Sequence, residues 1–127
     1  MSMTVDRRRT HRVACDLPVE WRRGWRLVVA QARDFDTDGL FLATTHTIQL
    51  DQSMELVVTL PDGTSINLLG VARYVGVTRH GRGIGIAIIA ITDEDREKWL
   101  AFYRQELDSV IGAMPGPVAM HLRASRP

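Results

Sequence analysis

Three carboxylates in alternate positions, Asp34, Asp36 and Asp38, end on Gly39 in the stretch DFDTDG. Hard cations take carboxylate oxygens, and glycine permits the sharp turn that aims them inward, so the stretch fits the opening of a calcium loop. An EF-hand loop also needs a bidentate Glu at its twelfth position, which here is Thr45, and a helix on either side. Both flanks, WRLVVAQAR and LFLATT, read as strands, so the metal reading fails twice and no metal or cofactor is expected. A plain acidic turn between strands fits better, because Asp tolerates tight-turn dihedrals, including a positive φ at Asp38.

The second group of reactive side chains lies upstream. Arg8 and Arg12 form R-x-x-x-R, with Arg7 before them. The chain carries 16 Lys and Arg against 15 Asp and Glu, so net charge points to no partner, but the distribution does. Arginines crowd the part up to Arg33, where only Asp6, Asp16 and Glu20 oppose them, and acids gather at Asp34–Asp38 and between Thr92 and Asp108. A locally basic segment suggests an anionic partner. It does not suit a long polyanion, which the acidic turn repels, and the arm has no aromatic residues to stack on bases, so nucleic acid is not expected.

The elements that must position these groups are short β-type runs. VACDLPVEW and WRLVVAQAR form a hairpin with its bend near Gly24; Leu40–Thr45, Met54–Leu60, Ser65–Val77 and Ile84–Ile91 follow, with turns at Pro61-Asp62-Gly63 and Gly81-Arg82-Gly83. Gly70 marks a bulge or bend. Some six strands at regular spacing indicate an all-β domain, a small antiparallel barrel or sandwich. One helix follows, with Thr92 as N-cap, acids in its first turn, an apolar face of Trp99, Leu100, Tyr103, Leu107, Val110 and Ile111, and a stop at Gly112. Residues 1–12 are expected to be a flexible arm, 13–112 the folded domain, and 113–127 a disordered tail. Cys15 is the single cysteine, no apolar run spans a bilayer, and the arginine-rich start has no apolar stretch behind it. Those features predict a cytoplasmic protein with no membrane insertion.

In this β framework, RRRTHRVA, then DFDTDGLFL, then GVARYV and GRGIGIAI together resemble the PilZ domain family, whose pattern is RxxxR followed at this separation by [DN]xSxxG. The resemblance implies a six-stranded antiparallel barrel with a C-terminal helix that binds cyclic di-GMP, a bacterial second messenger, and reports to an effector protein still unidentified. It carries the ligand role to Arg8, Arg12, Asp34 and Gly39, adds Arg7 as a phosphate or stacking group, and adds Arg73 in the strand set against guanine. The chemistry agrees. Guanidinium forks bond phosphate oxygens or guanine O6 and N7. A carboxylate accepts the adjacent N1–H and N2–H2 of guanine, and glycine lets backbone come close or adopt a conformation that other residues resist.

One position departs from the pattern. Asp36 stands where the family has Ser; as a ligand-site residue its ionised carboxylate only accepts hydrogen bonds, so it repels a nearby phosphate, faces a guanine edge, or pairs with Arg8 or Arg12. The expected function is therefore a cyclic di-GMP receptor that orders its N-terminal arm and alters a partner-binding surface; the alternative is a degenerate adaptor that works without nucleotide. Catalysis is not expected. There is no G-x-S-x-G, and the four histidines lack carboxylate partners at any recognisable spacing. The glycines of GRGIGI are followed by no helix that could hold a phosphate.

Overall fold

The computed structural model describes residues 11–78 and 81–112. Most of the expected arm, the expected tail, and with them Arg7 and Arg8, lie outside the described residues. Six antiparallel strands, β1 (Val13–Arg23), β2 (Arg26–Phe35), β3 (Gly39–Ala43), β4 (Ser53–Thr59), β5 (Ser65–Thr78) and β6 (Gly81–Ile91), close into a barrel in the order β1-β2-β3-β6-β5-β4. One helix, α1 (Asp93–Gly112), follows. The closed barrel settles the choice between barrel and sandwich.

Alternation drives closure. In β1, Val13, Leu17, Val19 and Trp21 face the core while Ala14, Asp16, Pro18 and Glu20 face out. Met54, Leu56 and Val58 of β4, Ile66 and Leu68 of β5, and Ile84 and Ile86 of β6 complete the interior. The β1–β2 hairpin bends at Gly24, whose φ of +64° ahead of Trp25 is what a type II′ turn requires at its first central position. β5 changes register against β6 between Leu69 and Gly70, where Gly70 promised an irregularity, and again between Ala72 and Tyr74.

Two expectations are corrected. The chain does not leave the sheet at Asp34. β2 runs on to Phe35, with a register shift between Ala32 and Asp34, because Phe35 is fully buried against α1. Its ring stacks on Phe102 at 5.3 Å and meets Trp99 edge-on at 5.1 Å and Tyr103 at 5.8 Å. The face of α1 is therefore Trp99, Phe102 and Tyr103, with Leu107 half-buried beside them; Val110 and Ile111 are exposed. The helix start is as expected: Thr92 Oγ1 accepts from the Asp95 amide at 3.1 Å, and Asp95 Oδ2 accepts from the Asn67 amide at 3.0 Å, tying α1 to β5.

The shift in β1 between Ala14 and Leu17 brings the Cys15 thiol onto the Ala32 carbonyl at 3.3 Å. Burial, then the nearby carboxylates of Asp34, Asp16 and Glu106, push the thiol up from its ordinary 9.0 to about 12. Unfolded chains ionise this thiol above pH 9 and folded ones do not, so the stabilisation is complete below pH 9 and is lost as pH rises towards 12. Urea melts over that range should show falling stability that Cys15→Ala removes. Native protein at neutral pH should react with iodoacetamide far more slowly than unfolded protein.

Candidate functional site

The two halves of the predicted clamp meet. The last residue of the arm, Arg12, precedes β1, and Asp34 lies near the end of β2, whose Phe35 pairs with Val13. Arg12 Nη1 donates to Asp34 Oδ1 at 2.7 Å, and Arg12 Nε lies 3.7 Å from Asp36 Oδ2. Asp36 is 7% exposed, and its other oxygen accepts the Asp38 amide at 2.8 Å. That bond, with the Asp36 amide on the Gly39 carbonyl at 3.0 Å, makes the β2–β3 connection a side-chain-capped turn. The Asp38 carbonyl then accepts the Ile88 amide at 2.8 Å, pinning the turn to β6. The only positive φ among the described non-glycine residues is at Asp51, so the turn is not built on the left-handed Asp38 that its composition suggested.

Two residues of α1 hold both halves. Trp99 Nε1 donates to the Asp36 carbonyl at 3.0 Å, and the Tyr103 hydroxyl donates to the His11 carbonyl at 2.7 Å. Neither aromatic was singled out for the site, since helical spacing marks them only as core. Their second use rests on a polar atom at the ring's far end, which spacing does not report.

Arg12, Asp36, Gly39 and Arg73 line one cleft of about 140 Å³, joined by Asp38, Tyr74 and the β6 backbone at Gly85. Asp34 does not line it; it holds Arg12 from behind. Gly39 serves by close approach, not by unusual dihedrals: a Cβ there would strike the Ile86 carbonyl oxygen of the neighbouring strand. Arg73 sits at the second register shift of β5, half-exposed, with Nη1 3.4 Å from Asp51 Oδ1. Tyr74 was missed. Neighbours in a regular strand point to opposite faces, and the shift brings Arg73 and Tyr74 to the same cleft. The Tyr74 ring lies flat on Gly85, where any Cβ would overlap it, so the ring is held half-exposed at the rim.

The described part of the cleft thus sets two guanidiniums, Arg12 and Arg73, against two carboxylates, Asp36 and Asp38, while Asp34 bonds Arg12 from outside the lining. Among the described residues no three His, Cys, Asp or Glu side chains converge as metal ligands. Two roomier depressions lie elsewhere, about 550 Å³ outside β4–β5–β6 and about 360 Å³ between α1 and the β4–β5 turn; neither includes these groups.

The profile of the PilZ domain family matches residues 6–105, and the chain belongs to that family. PilZ domains are binding and adaptor domains rather than enzymes, and the family is typically one of cyclic di-GMP receptors. No curated protein matches the chain in sequence. Among solved structures, the inhibitor of motility MotI/DgrA of Bacillus subtilis superposes with a TM-score of 0.70 at 19% identity, covering 82% of this chain and 53% of that one. The PilZ domain of YcgR from Escherichia coli, solved with c-di-GMP, gives 0.67 at 8% identity, covering 82% and 94%. MrkH of K. pneumonia in its apo state gives 0.68 at 13%, covering 87% and 55%. The chain spans about half the length of the first and third of these, and identities this low speak to the fold alone. No helix among the described residues is long and apolar enough to cross a membrane.

Proposed function

We propose that the protein is a cyclic di-GMP receptor of the cytoplasm, without catalysis, in which Arg7, Arg8 and Arg12 close over the nucleotide and the altered surface engages an effector protein. The observation that carries this reading is the convergence of Arg12, Asp36, Gly39 and Arg73 on one cleft, with Asp34 directly behind Arg12. The described part of the cleft measures about 140 Å³. A guanine there would meet Arg73 and the rim ring of Tyr74, leaving the phosphodiesters towards the N-terminal arginines. Charge supports that division, because both guanidiniums of the cleft are already engaged by carboxylates, Arg12 by Asp34 and Arg73 by Asp51. A ligand with two phosphodiesters then depends on Arg7 and Arg8.

Titration calorimetry with cyclic di-GMP tests the reading. Heat saturating in the micromolar range is expected, and Arg12→Ala should weaken binding by about ten- to a hundredfold, the worth of a charge-assisted bond. Absence of heat at high micromolar nucleotide would defeat it.

One observation favours a second reading. Arg12 is already engaged by Asp34 at 2.7 Å and lies 3.7 Å from Asp36, so nucleotide must compete with two carboxylates for it. A domain whose arginine stays locked this way would serve as a nucleotide-independent adaptor, and the same titration separates the two.

A further inference from the structure

The barrel is not fully paired at the end away from the cleft. β3 pairs with β2 only from Gln31 to Phe35, and beyond Ala43 the chain moves off, the Thr44 amide turning to the Arg82 carbonyl at 3.3 Å. The half of β2 next to the hairpin turn, Arg26–Ala30, therefore has β1 on one side and, among the described residues, no strand on the other. The two-residue turn fixes which groups face that gap. Arg23 and Arg26 close the hairpin, so Arg26, Val28 and Ala30 bond to β1, while Leu27 and Val29 aim their N–H and C=O groups away from it. Pro18, opposite Gln31, fits the same alternation, since it has no N–H to give. Among the described residues nothing pairs with the outward backbone groups of Leu27 and Val29. Their side chains are 56% and 70% exposed, and Trp25 at the turn is 92% exposed.

We propose that this edge is the interface with a second copy of the chain, formed by antiparallel pairing of β2 with β2 about a two-fold axis at Val28. In that register Leu27 of each copy faces Val29 of the other and exchanges two backbone bonds with it, making four in all. The outer side chains are self-complementary as well. On β1, Glu20 lies opposite Val29 and Arg22 opposite Leu27. The two-fold puts Glu20 of one copy in the same cross-sheet row as Arg22 of the other, with Val29 and Leu27 between them. Like charges then fall in different rows, and the four aliphatic side chains form one strip with a Trp25 beyond each end, its ring against Arg26. An edge so apolar and unguarded by lysine or proline is otherwise an aggregation hazard. The contact is small, so association in the range of about 10–100 µM is expected.

Sedimentation of the full chain across low to high micromolar concentration tests this. The mass should climb from 14.3 kDa towards twice that value. Val29→Lys should raise the dissociation constant at least about tenfold, and so should Val29→Pro, which removes an outward N–H that β1 does not use. In a Cys15→Ala background, a mixture of Leu27→Cys and Val29→Cys chains should cross-link by disulfide faster than either alone, since the paired Cα atoms lie about 5.5 Å apart. A mass fixed at 14.3 kDa throughout overturns the proposal, as does a dimer indifferent to both Val29 variants or cross-linking without the mixed preference. Phosphatidylglycerol vesicles that shift Trp25 emission while the chain stays monomeric would assign the edge to a lipid surface instead and equally overturn it.

Discussion

Trp99→Ala should cost about 3–5 kcal/mol of folding stability, the usual penalty for emptying a buried aromatic site. Domains of this size have about 5–15 kcal/mol in total, so the variant should melt about 10–20 °C lower. The effect is large because one side chain serves two purposes. Trp99 is 1% exposed and packs edge-on against Phe35, and its Nε1 is the hydrogen-bond donor to the Asp36 carbonyl at 3.0 Å. Trp99→Phe separates the two. It keeps most of the apolar volume but leaves the carbonyl without its partner, at about 1–3 kcal/mol. Urea unfolding measures both. A loss under about 1 kcal/mol for the alanine variant would show that α1 is not the support of the β2–β3 turn.

Asp36→Ser should tighten cyclic di-GMP binding by about one to two decades. A carboxylate some 5 Å from a phosphate costs about 3 kcal/mol at an effective dielectric near 20, part of it already offset by Arg12. The exchange should leave the fold intact, because a serine hydroxyl can still accept the Asp38 amide that Asp36 Oδ1 now takes at 2.8 Å. It also frees the Nε edge of Arg12, which Asp36 Oδ2 faces at 3.7 Å, while Asp34 continues to orient the guanidinium at 2.7 Å. Calorimetry on wild type and variant is the measurement. Equal affinities would mean that the Asp36 charge is silent in the bound state.

The barrel was legible because two-residue alternation in β1 and β4 and the turn residues at Gly24 and Gly63 leave few other solutions. The meeting of Arg12 with Asp34 and Asp36 was legible only as a family pattern, since residues 22 apart are joined by pairing that neither segment announces alone. What escaped was set by tertiary contact. Phe35 looked like part of an acidic loop, and only the aromatic face of α1 explains its burial. Phe102 was overlooked in favour of Val110 and Ile111, which keep the period but point to solvent. Tyr74 entered the cleft through a register shift that periodicity cannot foresee.

The bonds from Tyr103 to His11 and from Trp99 to Asp36 make α1 the common mooring of both sides of the Arg12–Asp36 cleft. Whatever moves α1 by even a fraction of a turn must slacken the two sides together. A protein that grips the helix more firmly in one of its positions would change nucleotide affinity by the same factor by which nucleotide changes its own, because the coupling free energy belongs to both binding events. Message and response would then be read through a single pair of ring-borne protons.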